Sequence, residues 1–208
     1  MGNIELIGSV ALIHLVAVIS PGPDFLVMVR NSLSFGRRVG FWTAIGIGCG
    51  IMIHIFYSFI GLGLLISQSE ILYNIVKYLG TAYLIYLGYG AFFSVSKPLE
   101  LEQQPISENS NLSSAKAFQI GFLTNVLNPK ATLFFLSLFT MVIKPDVDRF
   151  IFGIISVILV VDTMLWFILL SYLITYKNIR IIFVKRQNAF NKIFGVLLLL
   201  MAIKIIFG

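Results

Sequence analysis

Charged residues are scarce in this chain. Only 12% of its 208 residues are Asp, Glu, Lys or Arg, while 58% are hydrophobic. A soluble domain carries about 25% charged residues. A chain with so little polar surface cannot hide its apolar side chains from water unless a lipid bilayer covers them. The composition therefore excludes a soluble globular protein and predicts a membrane protein.

Cysteine and histidine are also scarce. The single cysteine, Cys49, excludes a disulfide framework or a dithiol redox pair within one chain. The two histidines, His14 and His54, stand alone in apolar segments, where we expect packed, hydrogen-bonded side chains rather than metal ligands. Nucleotide-binding glycine loops and nucleophile signatures are absent from the sequence. We therefore expect no enzyme activity, no metal and no cofactor.

Long apolar runs fill most of the chain. One membrane-spanning helix needs roughly 20 apolar residues, so the whole length is used by six spans and no soluble domain is left over. We predict an all-α fold that forms a single transmembrane domain over residues 1–208. The expected spans are approximately Ile4–Ser34, Val39–Ile66, Ile71–Val95, Lys116–Ile143, Phe150–Tyr176 and Ala189–Phe207.

A polar stretch divides the chain almost in half. Residues 96–115 contain Pro98, Pro105 and several Glu, Ser and Asn residues, a composition typical of a flexible linker. Residues 1–95 and 116–208 then hold three spans each. Because three is an odd number, the two halves enter the membrane in opposite senses. If they share a fold, they form an inverted repeat, as in many secondary transporters.

Basic residues are unevenly divided between the two sides of the membrane. With the N-terminus outside, the inner loops hold eight basic residues and the outer loops hold two. Four of the inner ones form a predicted basic loop before the last span: Lys177, Arg180, Lys185 and Arg186. By the positive-inside rule, both termini lie outside and the linker is cytoplasmic. The same rule accounts for the net charge of +6, so we do not expect nucleic acid as a partner.

Two proline-containing breaks interrupt the first and the fourth predicted spans. Proline lacks the amide hydrogen that a helix needs, and a bilayer tolerates unpaired backbone only where it is buried in protein or lines a wet cavity. Interrupted helices in corresponding halves indicate the binding site of a transporter. The residues predicted to bind substrate or couple transport at the breaks are Pro21, Gly22, Pro23, Asp24, Asn125, Asn128, Pro129 and Lys130.

Asp24 and Lys130 fall opposite each other when the two halves are superposed on their prolines. Burying a charge within a membrane costs about 2.5–3.5 kcal/mol, which makes such a residue a candidate for function. Together with the two helix ends, the pair would recognise a zwitterion, with Asp24 on an ammonium group and Lys130 on a carboxylate. The alternatives are a structural Asp24–Lys130 ion pair and a Lys130 side chain that snorkels to the interface.

Asp162 lies near the middle of the fifth predicted span, among apolar side chains such as Val161 and Leu165. An apolar environment favours the neutral form of a carboxyl group. A carboxyl group that gains and loses a proton within the membrane can carry a counter-moving proton. Permanent pairing with Lys130 or another cation is the alternative.

Several motifs, taken in chain order, resemble those of the LysE/RhtB amino-acid exporters. They are Pro21–Asp24 with Arg30-Asn31 and Gly36–Gly40, then Leu79–Gly88, then Phe118–Phe122 with Asn125, Asn128–Ala131 and Phe134-Phe135. The resemblance covers the whole chain. It implies an exporter of amino acids or their derivatives in the bacterial inner membrane, driven by proton exchange, in which the positions at both breaks matter for transport.

We therefore expect a secondary transporter that exports a small neutral or cationic amino acid while one half of the chain rocks against the other around the two breaks. Its partners would be the amino acid, protons and the lipid bilayer, with room for a homo-oligomer. The alternative is a cation or metal exporter of related layout, which the lack of a His-rich loop and of Cys ligands disfavours.

Overall fold

The structure is a computed structural model that describes residues 3–93, 112–142 and 148–207. Within these ranges the chain forms eight α-helices and no strand, which confirms the predicted all-α class. The helices are α1 (Asn3–Ile19), α2 (Pro23–Phe35), α3 (Arg37–Gln68), α4 (Glu70–Phe93), α5 (Ser114–Val126), α6 (Pro129–Val142), α7 (Arg149–Ile174) and α8 (Lys177–Phe207).

Two of the predicted spans consist of two helices each. Residues 20–22 separate α1 from α2, which are bent by 57° relative to each other, and residues 127–128 separate α5 from α6. Pro23 and Pro129 are the first residues of α2 and α6. A proline is tolerated there because the first N–H groups of a helix have no partner within it. The prolines therefore end one helix and begin the next, and we call residues 20–24 the first break and residues 125–130 the second break.

The connection before the last helix is shorter than the sequence suggested. The prediction of a basic loop is wrong, because α7 ends at Ile174 and α8 begins at Lys177, so all four basic residues lie on α8. Lys and Arg are good helix formers, and residues 177–187 contain no Gly or Pro to stop the helix. At 1.5 Å per residue, α8 is about 46 Å long and extends well beyond a hydrocarbon core of about 30 Å.

Three helices among the described residues are long and apolar enough to cross a membrane, at Arg37–Gly61, Phe150–Ile174 and Asn188–Phe207. The bent pair of α1 and α2 satisfies the same criterion as one broken span. These helices fit a multi-pass membrane protein, while six spans in two inverted halves stay a prediction. Most of the linker at residues 96–115 lies outside the described residues.

Close helix contacts hold the two halves of the chain together. Helix α3 packs along α5, and α4 packs along α8. A β-carbon at Gly46 would overlap the backbone at Phe118, and one at Gly121 would overlap the backbone at Thr43. Small residues let helices approach this closely, so α3 and α5 are in backbone contact just before the second break.

Two apolar clusters lie on either side of the first break. The first cluster includes Val10 of α1, Phe135 of α6 and Leu159 of α7. The second cluster includes Phe25 of α2 and Phe167 of α7. Because α1 contributes to the first and α2 to the second, the polar residues between these helices are enclosed by apolar packing at both ends.

Candidate functional site

The two breaks meet in the interior of the protein and line one cavity of about 50 Å³. The lining residues from the breaks are Ser20, Gly22, Asp24, Asn125, Asn128 and Lys130. The remaining lining is mostly apolar and comes from His14, Ala17, Val18, Phe25, Ile51, Ala131, Phe134, Phe135, Thr163 and Phe167. The cavity thus has a charged and polar side, built by the breaks, and an apolar side that contains His14 and Thr163.

Asp24 is held by the second break. Its Oδ2 accepts hydrogen bonds from Nδ2 of Asn128 at 2.9 Å and from Nδ2 of Asn125 at 3.1 Å. The other carboxylate oxygen, Oδ1, is buried and has no hydrogen-bond partner within the described ranges. Asp24 also stands in the first turn of α2, where the helix dipole favours a negative charge. One carboxylate oxygen at the cavity is therefore left for a hydrogen-bond donor.

Lys130 is held by the first break. Its Nζ donates to Oγ of Ser20 at 3.0 Å and to the carbonyl oxygens of Ser20 and Pro21 at 3.3 and 3.4 Å. These carbonyls lie just beyond the end of α1, where a helix dipole favours a positive charge. The same Nζ lies 4.4 Å from the centroid of the Phe194 ring, within cation–π range. The carboxylate and the ammonium group thus each bind the opposite break.

Asn128 uses both ends of its side-chain amide. Its Oδ1 accepts a hydrogen bond from the backbone amide of Lys130 at 3.0 Å, which caps the start of α6. Its Nδ2 donates to Asp24. One side chain therefore both caps α6 and holds Asp24 at the cavity.

Asn125 is positioned by α3. The backbone carbonyl oxygen of Asn125 lies 2.9 Å from Nε2 of His54, and Nδ1 of His54 lies 2.6 Å from the Tyr57 hydroxyl. Because a carbonyl can only accept, Nε2 carries the hydrogen and Nδ1 accepts from the hydroxyl. A β-carbon at Gly50 would lie 2.6 Å from Oδ1 of Asn125, so the glycine makes room for this side chain. Helix α3 thus places one of the two amides that hold Asp24.

Some of the predicted site residues do not line the cavity. Pro21, Pro23 and Pro129 are absent from the lining, although the carbonyl oxygen of Pro21 accepts a hydrogen bond from Nζ of Lys130. Asp162 lies half-buried on α7 outside the lining, although the next residue, Thr163, belongs to it.

Sequence reasoning missed three of the polar lining residues, Ser20, His14 and Thr163. Ser20 directly precedes the first proline, and a hydroxyl beside freed carbonyls is a signal that could have identified it. His14 and Thr163 lie in different halves of the chain, and nothing in their local sequence indicates that they meet. No group of three or more His, Cys, Asp or Glu side chains in the part of the chain that the structure describes could hold a metal ion.

Comparisons with known proteins give one family and several relatives. A family model described as LysE type translocator matches residues 15–208. The uncharacterized membrane protein YrhP of Bacillus subtilis is 33% identical over 90% of this chain and 91% of its own length. The threonine efflux protein of Escherichia coli K12 is 30% identical and that of Salmonella typhi 29% identical, each over 83% of both chains. No solved structure matches the chain at a significant level.

Proposed function

Because the chain belongs to the LysE type translocator family, we propose that it is a secondary transporter that exports small amino acids across the bacterial plasma membrane. The similarity to threonine efflux proteins over most of the chain supports an amino-acid substrate. The observation that carries the proposal is the reciprocal binding of Asp24 and Lys130 across the two breaks, which places opposite charges at one cavity.

A zwitterion fits this pair of charges. Its ammonium group would donate to Oδ1 of Asp24, the carboxylate oxygen without a partner in the described ranges. Its carboxylate would take Nζ of Lys130 from Ser20 and Pro21, and the N-terminus of α6 would add a partial positive charge. The cavity of about 50 Å³ has room for only a few waters, since one water needs roughly 10–15 Å³, and an amino acid is larger than that. Binding would therefore require the two breaks to move apart.

Alternating access would follow from the same arrangement. The proposed topology has six spans, a cytoplasmic linker at residues 96–115 and both termini outside. In this topology α1 and α6 lie towards the outside, and α2 and α5 lie towards the inside. The apolar cluster at Val10, Phe135 and Leu159 would close the outer path, and the cluster at Phe25 and Phe167 would close the inner path. Rocking of one half against the other would open each cluster in turn.

Efflux from reconstituted vesicles tests the proposal. Vesicles that contain the full chain are loaded with each of the twenty radiolabelled amino acids, and release is compared with that from vesicles without protein. We expect release of a small set of neutral or cationic amino acids. Divalent metal ions are loaded in a parallel arm. Release of metal ions with no release of any amino acid would overturn the proposal in favour of a metal exporter.

Proton coupling is proposed through Asp162. Its half-buried carboxyl group lies on α7 next to cavity-lining Thr163, which supports a role close to the substrate path. We expect Asp162→Asn to retain downhill efflux but to lose its acceleration by a proton gradient, because an amide cannot carry the proton. Asp148→Asn is the matched control, since Asp148 is an exposed N-cap of the same helix and asparagine caps equally well. Undiminished gradient dependence in correctly inserted Asp162→Asn protein would contradict the proposal.

A further inference from the structure

His14 is a buried side chain that takes no part in the hydrogen bonds between the breaks, although it lines the same cavity. It is 1% exposed, and its Nε2 lies 3.4 Å from Oγ1 of Thr163. Its other ring nitrogen, Nδ1, is buried and has no hydrogen-bond partner among the residues that the structure describes. Buried polar groups are normally hydrogen-bonded, so an unpaired one at a cavity requires an explanation.

The partner of Nε2 determines which nitrogen of His14 carries the hydrogen. The Thr163 hydroxyl donates its single hydrogen to the carbonyl oxygen of Leu159 at 3.0 Å. Its oxygen can therefore only accept from His14, so Nε2 carries the hydrogen of the neutral imidazole. Nδ1 then has a lone pair, so a side chain that lines the cavity carries a buried hydrogen-bond acceptor without a partner among the described residues.

His54, the other histidine of the chain, differs from His14 in its hydrogen bonds and in its position relative to the cavity. Both of its ring nitrogens are hydrogen-bonded, to Tyr57 and to the backbone of Asn125, and it does not line the cavity. Both histidines contact Phe135, with ring centroids 5.5 Å away for His54 and 5.6 Å for His14. Only His14 combines an unpaired ring nitrogen with a place in the cavity lining.

The position of His14 relative to the breaks limits the length of the group that reaches it. His14 lies on α1, six residues before Ser20, which directly follows the last residue of this helix. Six residues correspond to about 9 Å along a helix axis. The other α1 residues that line the cavity, Ala17 and Val18, are apolar, and so is Phe134 of α6. An amino acid held by its charged groups at the breaks would bring only the end of a short side chain to Nδ1.

We propose that His14 determines substrate specificity by accepting, at Nδ1, a hydrogen bond from the hydroxyl of a short amino-acid side chain. This inference rests on the proposed amino-acid export and assigns its substrate class, small hydroxylated amino acids. Threonine and valine have nearly the same shape but differ in a hydroxyl. A valine would leave Nδ1 unpaired in the apolar part of the site, so the transporter should discriminate against it by about tenfold or more.

Efflux of labelled threonine and valine from vesicles tests this assignment. We expect the wild-type chain to release threonine at least about tenfold faster than valine. His14→Leu should bring this ratio close to one by slowing threonine alone. His14→Asn should restore part of the preference, because the amide oxygen can take the place of Nδ1. Ser58→Ala is the control, since the buried Ser58 hydroxyl also lacks a partner within the described ranges but does not line the cavity.

Thr163 provides a second pair of variants in case the His14 variants do not fold. Thr163→Val removes the acceptor that orients the imidazole and should lower the threonine preference, whereas Thr163→Ser should retain it. The inference would be overturned if folded His14→Leu protein lost threonine and valine release equally, or if it kept the wild-type ratio of threonine to valine release. Neither result would contradict the proposed export of amino acids. Release of neither amino acid, nor of any other, by the wild-type chain would instead overturn the proposed function.

Discussion

The two breaks differ in what they offer and in what they need. The first break presents a carboxylate and two freed carbonyls, and α2 starts within it without a side-chain cap. The second break presents two side-chain amides and an ammonium group, and Asn128 caps α6. In the contacts between them, the first break therefore supplies the acceptors and the second supplies the donors. Neither break binds its own charged group, and each charged group is hydrogen-bonded only where the two halves of the chain meet.

This complementarity explains how a substrate could separate the breaks. A hydrogen bond to a charged group contributes about 1.5–3 kcal/mol, so pulling Asp24 from its amides and Lys130 from its carbonyls costs several kcal/mol. A zwitterion brings an ammonium group for the carboxylate and a carboxylate for the ammonium group. The cost of opening the site is then offset by substrate contacts, and opening without substrate is disfavoured.

Removal of the Lys130 ammonium group from the second break should have the largest effect on efflux and stability. Lys130→Met keeps the length of the side chain but leaves the carbonyls of Ser20 and Pro21 without their donor and the charge of Asp24 uncompensated. Breaking a buried charged network in this way costs about 3–5 kcal/mol. We expect efflux to fall more than about a hundredfold and the thermal midpoint of the purified protein to decrease.

Lys116→Met is the matched control for this change. Lys116 is exposed near the start of α5 and donates to Oε1 of Gln119 at 3.1 Å, away from the cavity. We expect nearly wild-type efflux and stability from it, since exposed interactions contribute little. Wild-type efflux by Lys130→Met would show that the two breaks do not depend on each other.

The bond between Asp24 and Asn128 can be measured by a double-mutant cycle. Asn128→Ala removes one amide from the carboxylate and the cap from α6, so it should lower efflux more than Asn125→Ala, about tenfold or more. Asp24→Asn combined with Asn128→Ala should show a coupling energy of about 0.5–3 kcal/mol in unfolding experiments. Strict additivity of the two single changes would mean that the contact at 2.9 Å does not stabilise the folded protein.

The sequence predicts where the two helices are interrupted, because this depends only on local residues. Pro23 and Pro129 cannot lie inside a helix, so their breaks follow from covalent structure. The hydrogen-bond partners of Asp24 and Lys130 cannot be predicted in this way. They are more than a hundred positions apart in the sequence and meet through the packing of α2 and α3 on α5.

Two further expectations have different outcomes. The charge of the residues around Lys177 predicts a loop, but the structure shows helix, because Lys and Arg are good helix formers. The sequence predicts packed, hydrogen-bonded side chains for His14 and His54, and the structure confirms both. What distinguishes the two is the number of ring nitrogens that find a partner, a property of tertiary contacts that no spacing in the sequence encodes.

A smaller effect is expected where α3 supports the second break. Gly50→Ala would bring a β-carbon to 2.6 Å from Oδ1 of Asn125, so this amide must shift and its bond to Asp24 must lengthen. We expect efflux to fall several-fold, with a loss of about 1–3 kcal/mol in stability from overpacking. Gly61→Ala on the same helix is the control, because nothing lies within 4 Å of a β-carbon there. Equal behaviour of the two variants would show that the position of Asn125 is not set by α3.

The smallest effect is expected at Gly22, the residue between the two prolines of the first break. Its backbone is extended, with φ of −170° and ψ of −172°, a conformation open to any residue. A β-carbon would lie 3.4 Å from Nζ and 3.5 Å from Cδ of Lys130, which is ordinary van der Waals contact. Gly22→Ala should therefore change stability by no more than about 0.5 kcal/mol and leave efflux near wild type. Gly22→Leu should displace the Lys130 side chain, and its loss of efflux should approach the loss expected for Lys130→Met. If Gly22→Ala inserts and folds but stops efflux, the first break must pass through a second backbone conformation that only glycine adopts. The two breaks would then differ in mobility as well as in chemistry.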